Sequence, residues 1–366
     1  MKKIVILNYG LHISGVSKAL INLANSMVQH GYGVTIKLAI NDFTLADELD
    51  KRVKTSVLLK GVGRGRLYGK FMQLIEKLPP KWQWLFTVGY KYDVEIAFNR
   101  GLAAKIVSAS CNRKSKKLAW VHNDYILTDN ALAGFKDEQD AFNGYSKFNH
   151  VVCVSEQSRV SFCKRFGDTG NLVVCYNVLD VESIRSKAKE ENIPKTGFTI
   201  VSVGRLSEQK NYTLLIDAAE ELNKRNLHPT FWIVGDGELR NDLVEYKEKK
   251  KTNNVVFVGA QKNPYPYFYS ADLYLSTSIY EGLSTTTIEA LILNKPIVVT
   301  DCTGMKDILG NSTWGVITTF DCLKLVDSIE KMMKDEEWKS FYIQQSSSRS
   351  KAFATEELFK GIEKYF

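Results

Sequence analysis

The amino-acid sequence predicts an α/β protein made of two doubly wound domains, each built on a parallel sheet. Three observations indicate this fold class. Short runs rich in Val and Ile recur along the chain, as is typical of parallel strands buried on both faces. Helical patterns separate these runs. A length of 366 residues with 44% hydrophobic content suits two domains of average size.

The alternation of strands and helices pauses around 176–197, where a charged stretch follows "YNVLD". We therefore predict a first domain over 1–176, a second over 177–345 and a C-terminal helix over 346–366. The domains are expected to face each other across a cleft, with the C-terminal helix packing back on the first. The predicted strands are 3–9, 34–40, 93–98, 117–122, 150–155, 198–204, 230–235, 255–259, 272–276 and 296–300, and helices are predicted at 15–30, 156–166, 211–226 and 284–294.

Targeting signals and disulfides are not expected from this sequence. The N-terminal "MKKIVILNYG" has too short an apolar run for a signal peptide and is interpreted as the first strand. Nothing approaches the roughly 20 apolar residues of a membrane span. The six cysteines are scattered without a C-x-x-C pair, which favours reduced thiols. A cytoplasmic location follows as a prediction.

The net charge of +8 is concentrated in part around residues 60–81, where six basic residues face a single acidic one. Apolar residues recur there at helical spacing, and "WQWLF" follows at 82–86. Two interpretations stay open. One is an interfacial helix in which residues 60–86 contact a membrane, which would place the protein at the inner face of the cell membrane. The other is an ordinary surface helix over the domain core.

Candidate site residues are sought at the carboxyl ends of the predicted strands, where doubly wound sheets bind ligands. In "VGRLSEQKN" (203–211), a strand ends at Gly204, and Arg205 and Lys210 precede the next helix. Two cations at such a turn would converge on an anion, the arginine as a fork and the lysine as a point charge. The alternative is two exposed basic residues in a loop.

The stretch "YEGLSTTTIEAL" (280–291) joins another strand end to a helix start. Helix N-termini bind phosphate through free backbone amides, and Gly282 permits close approach of a ligand. A diphosphate held there and by the two cations would explain both stretches together. The expected amide donors are Leu283, Ser284 and Thr285.

Two glutamates in this stretch have two possible roles. Glu289 could bind a ribose diol, and Glu281 would face the other end of the ligand. Alternatively, Thr286-x-x-Glu289 satisfies the capping-box rule and only shapes the helix start.

The first domain offers two further candidates. Gly15 lies in a strand–turn–helix stretch, "NYGLHISGVSKALINLA", which is not a nicotinamide fingerprint. His122 ends the strand of "LAWVHND", where a catalytic and a structural histidine are about equally expected. No Asp-x-Asp occurs and the carboxylates do not cluster, so neither a metal nor another cofactor is predicted. Arg205, Lys210 and helix dipoles would then stabilise the charge of a leaving diphosphate.

With these residues assembled, the chain resembles the retaining glycosyltransferases of family 4, which have the GT-B fold. The likeness covers most of the chain and is strongest in "SVGRLSEQKNYTLLIDA" (202–218) and "DLYLSTSIYEGLSTTTIEAL" (272–291), the second of which resembles the family's E-x7-E motif. Members of the family usually have two adjacent glycines in this loop of the first domain, whereas this chain has Ser14-Gly15 there.

The resemblance implies roles for these residues. The catalytic set would be His122, Arg205, Lys210 and Glu281, with His122 beside the reacting centre and Glu281 at the donor sugar. Glu289 would bind the ribose, and the nucleobase would lie near Gly259 to Gln261. The full donor-binding set would be Gly15, Gly204, Arg205, Lys210, Gly259, Ala260, Gln261, Glu281, Gly282, Leu283, Ser284, Thr285 and Glu289.

The implied reaction moves a hexose or N-acetylhexosamine from a nucleotide-diphosphate sugar to a glycan hydroxyl with retention of configuration. It needs no metal, UDP is the expected nucleotide, and the front-face mechanism lets the leaving phosphate help take the acceptor proton. A lipid-linked acceptor in bacterial capsule, exopolysaccharide, lipopolysaccharide or teichoic acid assembly is expected. The alternatives are a GT-B nucleotide-sugar epimerase or phosphorylase and, remotely, a basic nucleic-acid-binding protein, although no nucleic-acid module is recognised.

Overall fold

The computed structural model describes residues 1–58, 78–127 and 132–366. The chain divides into two compact units. Unit 1 consists of Met1–Leu179 and Glu356–Phe366, and unit 2 consists of Asp180–Thr355. The predicted boundaries followed residues 176 and 345, whereas the units meet after residues 179 and 355.

Unit 1 is built on a seven-stranded sheet in which every described pairing is parallel. Its strands are β1 (Lys3–Asn8), β2 (Gly33–Leu38), β3 (Lys54–Val57), β4 (Val94–Ala97), β5 (Lys116–Val121), β6 (His150–Cys153) and β7 (Leu172–Val174). They lie in the order β3-β2-β1-β4-β5-β6-β7. The helices described in this unit are α1 (Gly15–Gln29), α2 (Pro80–Thr87), α3 (Leu102–Ser108), α4 (Glu138–Tyr145) and α5 (Glu156–Phe166), with a short 3₁₀ helix at Ala46–Glu48.

Unit 2 is built on a six-stranded parallel sheet. Its strands are β8 (Thr199–Val203), β9 (Thr230–Val234), β10 (Val255–Gly259), β11 (Leu273–Ser276), β12 (Ile297–Thr300) and β13 (Val316–Thr318), in the order β10-β9-β8-β11-β12-β13. Its helices are α6 (Val181–Lys187), α7 (Tyr212–Lys224), α8 (Arg240–Lys250), α9 (Tyr265–Ser270), α10 (Thr285–Ile292), α11 (Met305–Leu309), α12 (Cys322–Lys334) and α13 (Glu336–Ser350), with 3₁₀ turns at Glu208–Lys210 and Lys351–Phe353.

The predicted α/β fold class is confirmed, and all ten predicted strands are present. The structure adds three strands that the sequence pattern did not predict: β3, β7 and β13. Each lies at an edge of its sheet and has only three or four residues. An edge strand pairs on one side and is less buried, so it carries no continuous apolar run to recognise.

The central strands supply the core of each sheet. In β1 the four residues from Ile4 to Leu7 are fully buried. This burial on both faces is the physical origin of the Val/Ile runs in the sequence, because helices cover both sides of a parallel sheet. The same pattern recurs in β12, where all four residues are buried.

The last helix, α14 (Thr355–Glu363), is followed by the C-terminal residues of unit 1. Phe359 is fully buried and its ring stacks on His30 at 4.2 Å between centroids. The hydroxyl of Tyr32 donates to Glu363 at 3.0 Å, and the Lys116 ammonium donates to the Phe366 main-chain oxygen at 2.8 Å. The end of the chain is therefore part of the unit 1 core.

Residues 60–77 of the basic segment noted at 60–81 lie outside the described residues. The aromatic stretch that follows it forms α2. Among the residues that the structure describes, no helix is long and apolar enough to cross a membrane.

Candidate functional site

Two loops of unit 2 lie side by side because β8 and β11 are neighbours in the parallel sheet. Hydrogen bonds join the loop after β8 to the loop after β11. The Ile279 amide donates to the Gln209 carbonyl at 2.8 Å, and the Gln209 side chain donates to the Tyr280 carbonyl at 2.8 Å. The Thr277 hydroxyl donates to the Lys210 carbonyl at 2.9 Å. The two stretches singled out in the sequence thus form one structure.

A buried ion pair lies at the centre of this structure. The Lys210 ammonium is 2.6 Å from Glu281 Oε1, and the side chains are only 17% and 10% exposed. The Ser278 hydroxyl donates to the same oxygen at 2.9 Å. Burial alone would lower the pKa of Lys210, but the charge of Glu281, with smaller contributions from Tyr274 and Tyr212, raises it well above its usual range. The lysine is therefore a permanent cation.

The backbone around Lys210 is shaped to turn its side chain inward. Asn211 adopts a left-handed conformation, with φ of 49°, between the 3₁₀ turn and α7. Asparagine tolerates this region better than most residues. A Cβ on Gly204 would lie 2.8 Å from Lys210 Cε, so the glycine leaves the space that the lysine side chain occupies.

Arg205 does not share the Lys210–Glu281 contact. Its side chain is 74% exposed, and its Nε donates to Glu238 Oε2 at 3.1 Å. Glu238 lies in the loop after β9, at the carboxyl end of a strand, but this carboxylate was not predicted as a partner of the arginine. Neighbouring strand ends are the signal that could have suggested it, since β8 and β9 pair.

The loop after β9 presses directly on the turn that carries Arg205. A Cβ on Gly235 would lie 1.9 Å from the Gly204 carbonyl oxygen, and one on Gly237 would lie 2.4 Å from the Leu206 oxygen. Only glycine allows the two backbones to approach this closely. These glycines therefore fix the position of the Arg205 turn.

Helix α10 begins after Ser284, whose hydroxyl accepts from the Thr287 amide at 3.4 Å. The capping-box interpretation of Thr286 and Glu289 is therefore wrong. The cap lies two residues earlier, and Thr286 instead accepts a hydrogen bond from the Tyr274 hydroxyl at 2.8 Å. The cap binds the Thr287 amide, and of the three predicted amide donors only Thr285 lies in the first turn of the helix, where amides have no acceptor within the helix.

Glu289 is half-buried on α10 and accepts a hydrogen bond from the Tyr265 hydroxyl at 3.2 Å. Tyr265 starts α9, shortly after the predicted nucleobase residues Gly259, Ala260 and Gln261. Sequence reasoning missed this tyrosine because a residue contact between two helices leaves no spacing pattern. Its hydrogen bond joins Glu289, the carboxylate predicted to bind the ribose, to α9, the helix that follows the predicted nucleobase loop.

The predicted nucleobase loop begins at the end of β10. Gly259 has a φ of +87°, and its carbonyl accepts a hydrogen bond from the Gly235 amide at 2.9 Å. A residue with a side chain would be strained in this left-handed conformation. Ala260 is exposed, and the Gln261 side chain turns back to the Val258 carbonyl at 3.5 Å.

In unit 1, Gly15 is the first residue of α1, as predicted. The N-cap is Ser14, whose hydroxyl accepts from the Ser17 amide at 3.2 Å and donates to the Ser17 hydroxyl at 3.0 Å. The two hydroxyls therefore cap the start of α1. Gly15 itself is exposed.

His122 follows β5, and its ring lies 4.6 Å from that of Phe98, which follows the neighbouring strand β4. Within the described chain, the buried Nε2 atom has no hydrogen-bond partner. Burial lowers the pKa of His122 to about 4, and a hydrogen bond with the Phe98 backbone opposes this only in part. The imidazole is therefore neutral at pH 7.

This pKa predicts a pH dependence of stability. The unfolded chain binds a proton at His122 near pH 6.5, and the folded chain does so near pH 4. Because the unfolded state then holds more protons in this window, the free energy of unfolding falls as the pH falls from about 6.5 to about 4. We expect the fall to be smaller in His122→Asn, measured by urea unfolding at several pH values. The control is His12→Asn, which removes an exposed imidazole of the same unit. Equal slopes for native protein and His122→Asn would contradict the assignment.

No group of three or more His, Cys, Asp or Glu side chains that could hold a metal ion occurs among the described residues. The six cysteines are free thiols. Burial raises the pKa of Cys153 and Cys302 far above the usual range, so these thiols are protonated.

Comparison with known proteins defines the class of this fold. A solved structure of Anabaena Alr3699/HepE in complex with UDP and glucose superposes with a TM-score of 0.78 at 20% identity, covering 100% of this chain and 99% of that one. Together with the two parallel-sheet units, this likeness establishes the GT-B fold.

Sequence comparison agrees with this fold. Residues 183–349, all within unit 2, match the profile of the family described as Glycosyl transferases group 1. The match confirms the predicted resemblance to glycosyltransferases over that part of the chain.

Two curated relatives share about half of their length with this chain. An uncharacterized glycosyltransferase of Methanocaldococcus jannaschii is 32% identical over 57% of this chain and 53% of its own length. The second relative, from Campylobacter jejuni, is an N-acetylgalactosamine-N,N'-diacetylbacillosaminyl-diphospho-undecaprenol 4-alpha-N-acetylgalactosaminyltransferase. It is 31% identical over 52% of each chain.

Proposed function

We propose that this protein is a retaining, metal-independent glycosyltransferase. It moves a hexose or N-acetylhexosamine from a nucleotide-diphosphate sugar, expected to be a UDP-sugar, to a hydroxyl of a lipid-linked glycan. The acceptor belongs to bacterial surface polysaccharide assembly. The proposed place of action is the cytoplasmic side of the cell membrane.

The observation that carries the proposal is the buried pair of Lys210 and Glu281. A lysine ammonium has three N–H donors, and the bond to Glu281 uses one of them. The other two are proposed to contact the donor diphosphate, while the carboxylate accepts from sugar hydroxyls. A buried, fixed cation is worth more to a developing anion than a solvated one, since the site needs no reorganisation during the reaction.

Two further features support stabilisation of the leaving diphosphate. The exposed guanidinium of Arg205 uses its Nε on Glu238, and its terminal nitrogens can form a fork to phosphate oxygens. The first turn of α10 presents amides and the positive end of the helix dipole. In this proposal the leaving phosphate then takes the acceptor proton, and His122 of unit 1 is a catalytic residue that acts as a neutral imidazole.

The choice of substrates rests on proteins that are similar to this chain in sequence or in fold. The Campylobacter relative acts, by its name, on a diphospho-undecaprenol glycan with N-acetylgalactosamine. The Anabaena structure holds UDP and glucose. These names support a UDP-sugar donor and a lipid-linked acceptor for this chain.

A donor screen tests the proposal. The full chain is incubated with UDP- and GDP-sugars in EDTA, with and without undecaprenyl-linked glycans, and NMR follows the anomeric proton of the product. We expect slow hydrolysis of one donor, faster transfer with an acceptor, and an α product from an α donor. A C-2 epimer of the sugar formed without an acceptor would establish the epimerase alternative, and inversion would refute retention. Activity that requires added Mg²⁺ would refute metal independence.

Tyr265→Phe is expected to weaken UDP binding by about threefold to tenfold, because a typical lost hydrogen bond is worth on the order of 1 kcal/mol. The hydroxyl that orients Glu289 is removed while the ring stays. Calorimetric titration with UDP measures the change.

The matched control is Tyr269→Phe, which removes an exposed hydroxyl from the same helix. We expect it to bind UDP like the native protein. Glu289→Gln should leave thermal stability unchanged, since Ser284 and not Glu289 caps α10, and should weaken UDP binding. Native affinity in Tyr265→Phe and Glu289→Gln together would refute a ribose site at Glu289.

A further inference from the structure

Helix α2 in unit 1 has an apolar outer face. Its inner face buries Trp84 and Thr87, whereas its outer face exposes aromatic and aliphatic side chains at helical spacing. The exposed members are Trp82 (48%), Leu85 (39%), Phe86 (69%) and, just after the helix, Tyr90 (62%). The outer face of a surface helix is normally polar, so this pattern indicates a surface that meets something apolar.

The helix is held firmly in place from inside. The indole nitrogen of Trp84 donates to the buried carboxylate of Glu95 on β4 at 2.8 Å. Ser110 and Ser115 donate to the other oxygen of Glu95 at 3.1 and 2.8 Å. Because α2 is fixed to the sheet, a partner that binds its outer side chains does not have to order the helix backbone.

The charge around this face is basic. Lys81 and Lys91, both exposed, flank the outer face, and no acidic residue occurs from 77 to 92. Unit 1 carries 27 Lys and Arg against 17 Asp and Glu, a net charge of +10, whereas unit 2 carries 22 against 24. The positive charge of the protein therefore resides in the unit that exposes the aromatic face.

We propose that the outer face of α2 docks on an anionic lipid bilayer, with Trp82 and Phe86 inserted at the headgroup boundary. Aromatic side chains prefer that depth, and neighbouring lysines attract anionic headgroups. This inference rests on the proposed function for the biological reason to meet a bilayer, which carries the lipid-linked acceptor. It assigns the contact to Trp82, Leu85 and Phe86 of α2 and to Tyr90 rather than to the whole 60–86 segment.

Co-sedimentation of the full chain with vesicles tests the proposal. One set contains phosphatidylcholine alone, and the other contains phosphatidylglycerol and phosphatidylcholine in equal parts. We expect binding to the anionic set and a loss of about tenfold or more in Trp82→Gln/Phe86→Gln, because two inserted aromatic rings are removed. A smaller loss is expected in Lys81→Glu/Lys91→Glu. The matched control, Phe320→Gln/Phe341→Gln, removes two exposed aromatic rings from unit 2 and should bind like the native protein.

A second readout does not depend on loss of binding. Brominated lipids should quench tryptophan fluorescence in the native protein, and Trp82→Phe should bind equally well with much less quenching. Native-like binding by Trp82→Gln/Phe86→Gln, or no binding by the native protein, would overturn the proposal. A native dimer that binds no lipid and becomes a monomer in Trp82→Gln/Phe86→Gln would also overturn the proposal. The outer face of α2 would then be a contact between two copies of the chain. Donor hydrolysis should be unchanged in all these variants, so vesicle binding without any sugar-nucleotide activity would refute the proposed function alone.

Discussion

Replacing Lys210 by methionine is expected to lower the free energy of unfolding by about 3–5 kcal/mol, because it leaves the Glu281 carboxylate buried without a cation. The carboxylate is only 10% exposed and cannot be rehydrated without movement of the loop. The same change should reduce donor hydrolysis by about a hundredfold or more, since a fixed charge at the leaving group is lost. Urea unfolding and a hydrolysis assay measure the two effects separately.

The double variant Lys210→Met/Glu281→Gln is the matched control. With both charges removed, we expect most of the lost stability to return, while hydrolysis stays low. This combination separates the ion pair as a structural element from the lysine as a functional cation. If the double variant regained both stability and activity, the pair would serve the fold alone.

Gly235→Ala is expected to have the second largest effect, a loss of roughly 3 kcal/mol or more in the free energy of unfolding. The added Cβ would lie 1.9 Å from the Gly204 carbonyl oxygen, and φ of +149° is a conformation that only glycine adopts readily. The turn that carries Arg205 must move, so UDP binding should fall as well. Thermal unfolding and calorimetric titration with UDP check both effects.

Gly197→Ala provides the comparison. Gly197 also has a positive φ, of +70°, but a Cβ there would meet no described atom within 4 Å. This variant should lose about 1 kcal/mol from backbone strain alone and bind UDP normally. Equal losses in the two variants would show that backbone strain, and not the contact between the two loops, makes Gly235 necessary.

Much of the fold could be predicted from the sequence because parallel strands that are buried on both faces appear as continuous apolar runs. The four fully buried residues of β1 read as a continuous apolar run, and the other nine predicted strands were found in the same way. The edge strands β3, β7 and β13 were missed, since their exposure leaves no such run.

The candidate site was predictable to the extent that strand order and loop position decide it. Lys210 and Glu281 meet because β8 and β11 are adjacent, which follows from the arrangement of a doubly wound sheet. The partners of the other residues depend on side-chain directions that a spacing pattern does not contain. For this reason the contact between Arg205 and Glu238, and that between Tyr265 and Glu289, appeared only in the structure.

The helix start at 284–292 shows how a valid sequence rule can apply to the wrong residues. Thr286-x-x-Glu289 fits the capping box, yet Ser284 lies earlier and offers its hydroxyl to the amide three residues on. Several hydroxyl residues in a row make such a rule ambiguous, because each can serve as the cap.

Calorimetric titration of the full chain with UDP, GDP and inorganic pyrophosphate in EDTA tests whether Lys210 and Glu289 belong to one site for a nucleoside diphosphate. We expect the native protein to bind UDP, Lys210→Ala to weaken binding of both UDP and pyrophosphate by about tenfold or more, and Glu289→Gln to weaken binding of UDP alone. Equal UDP affinity in the native protein and both variants, or no binding of either nucleotide by the native protein, would contradict this expectation.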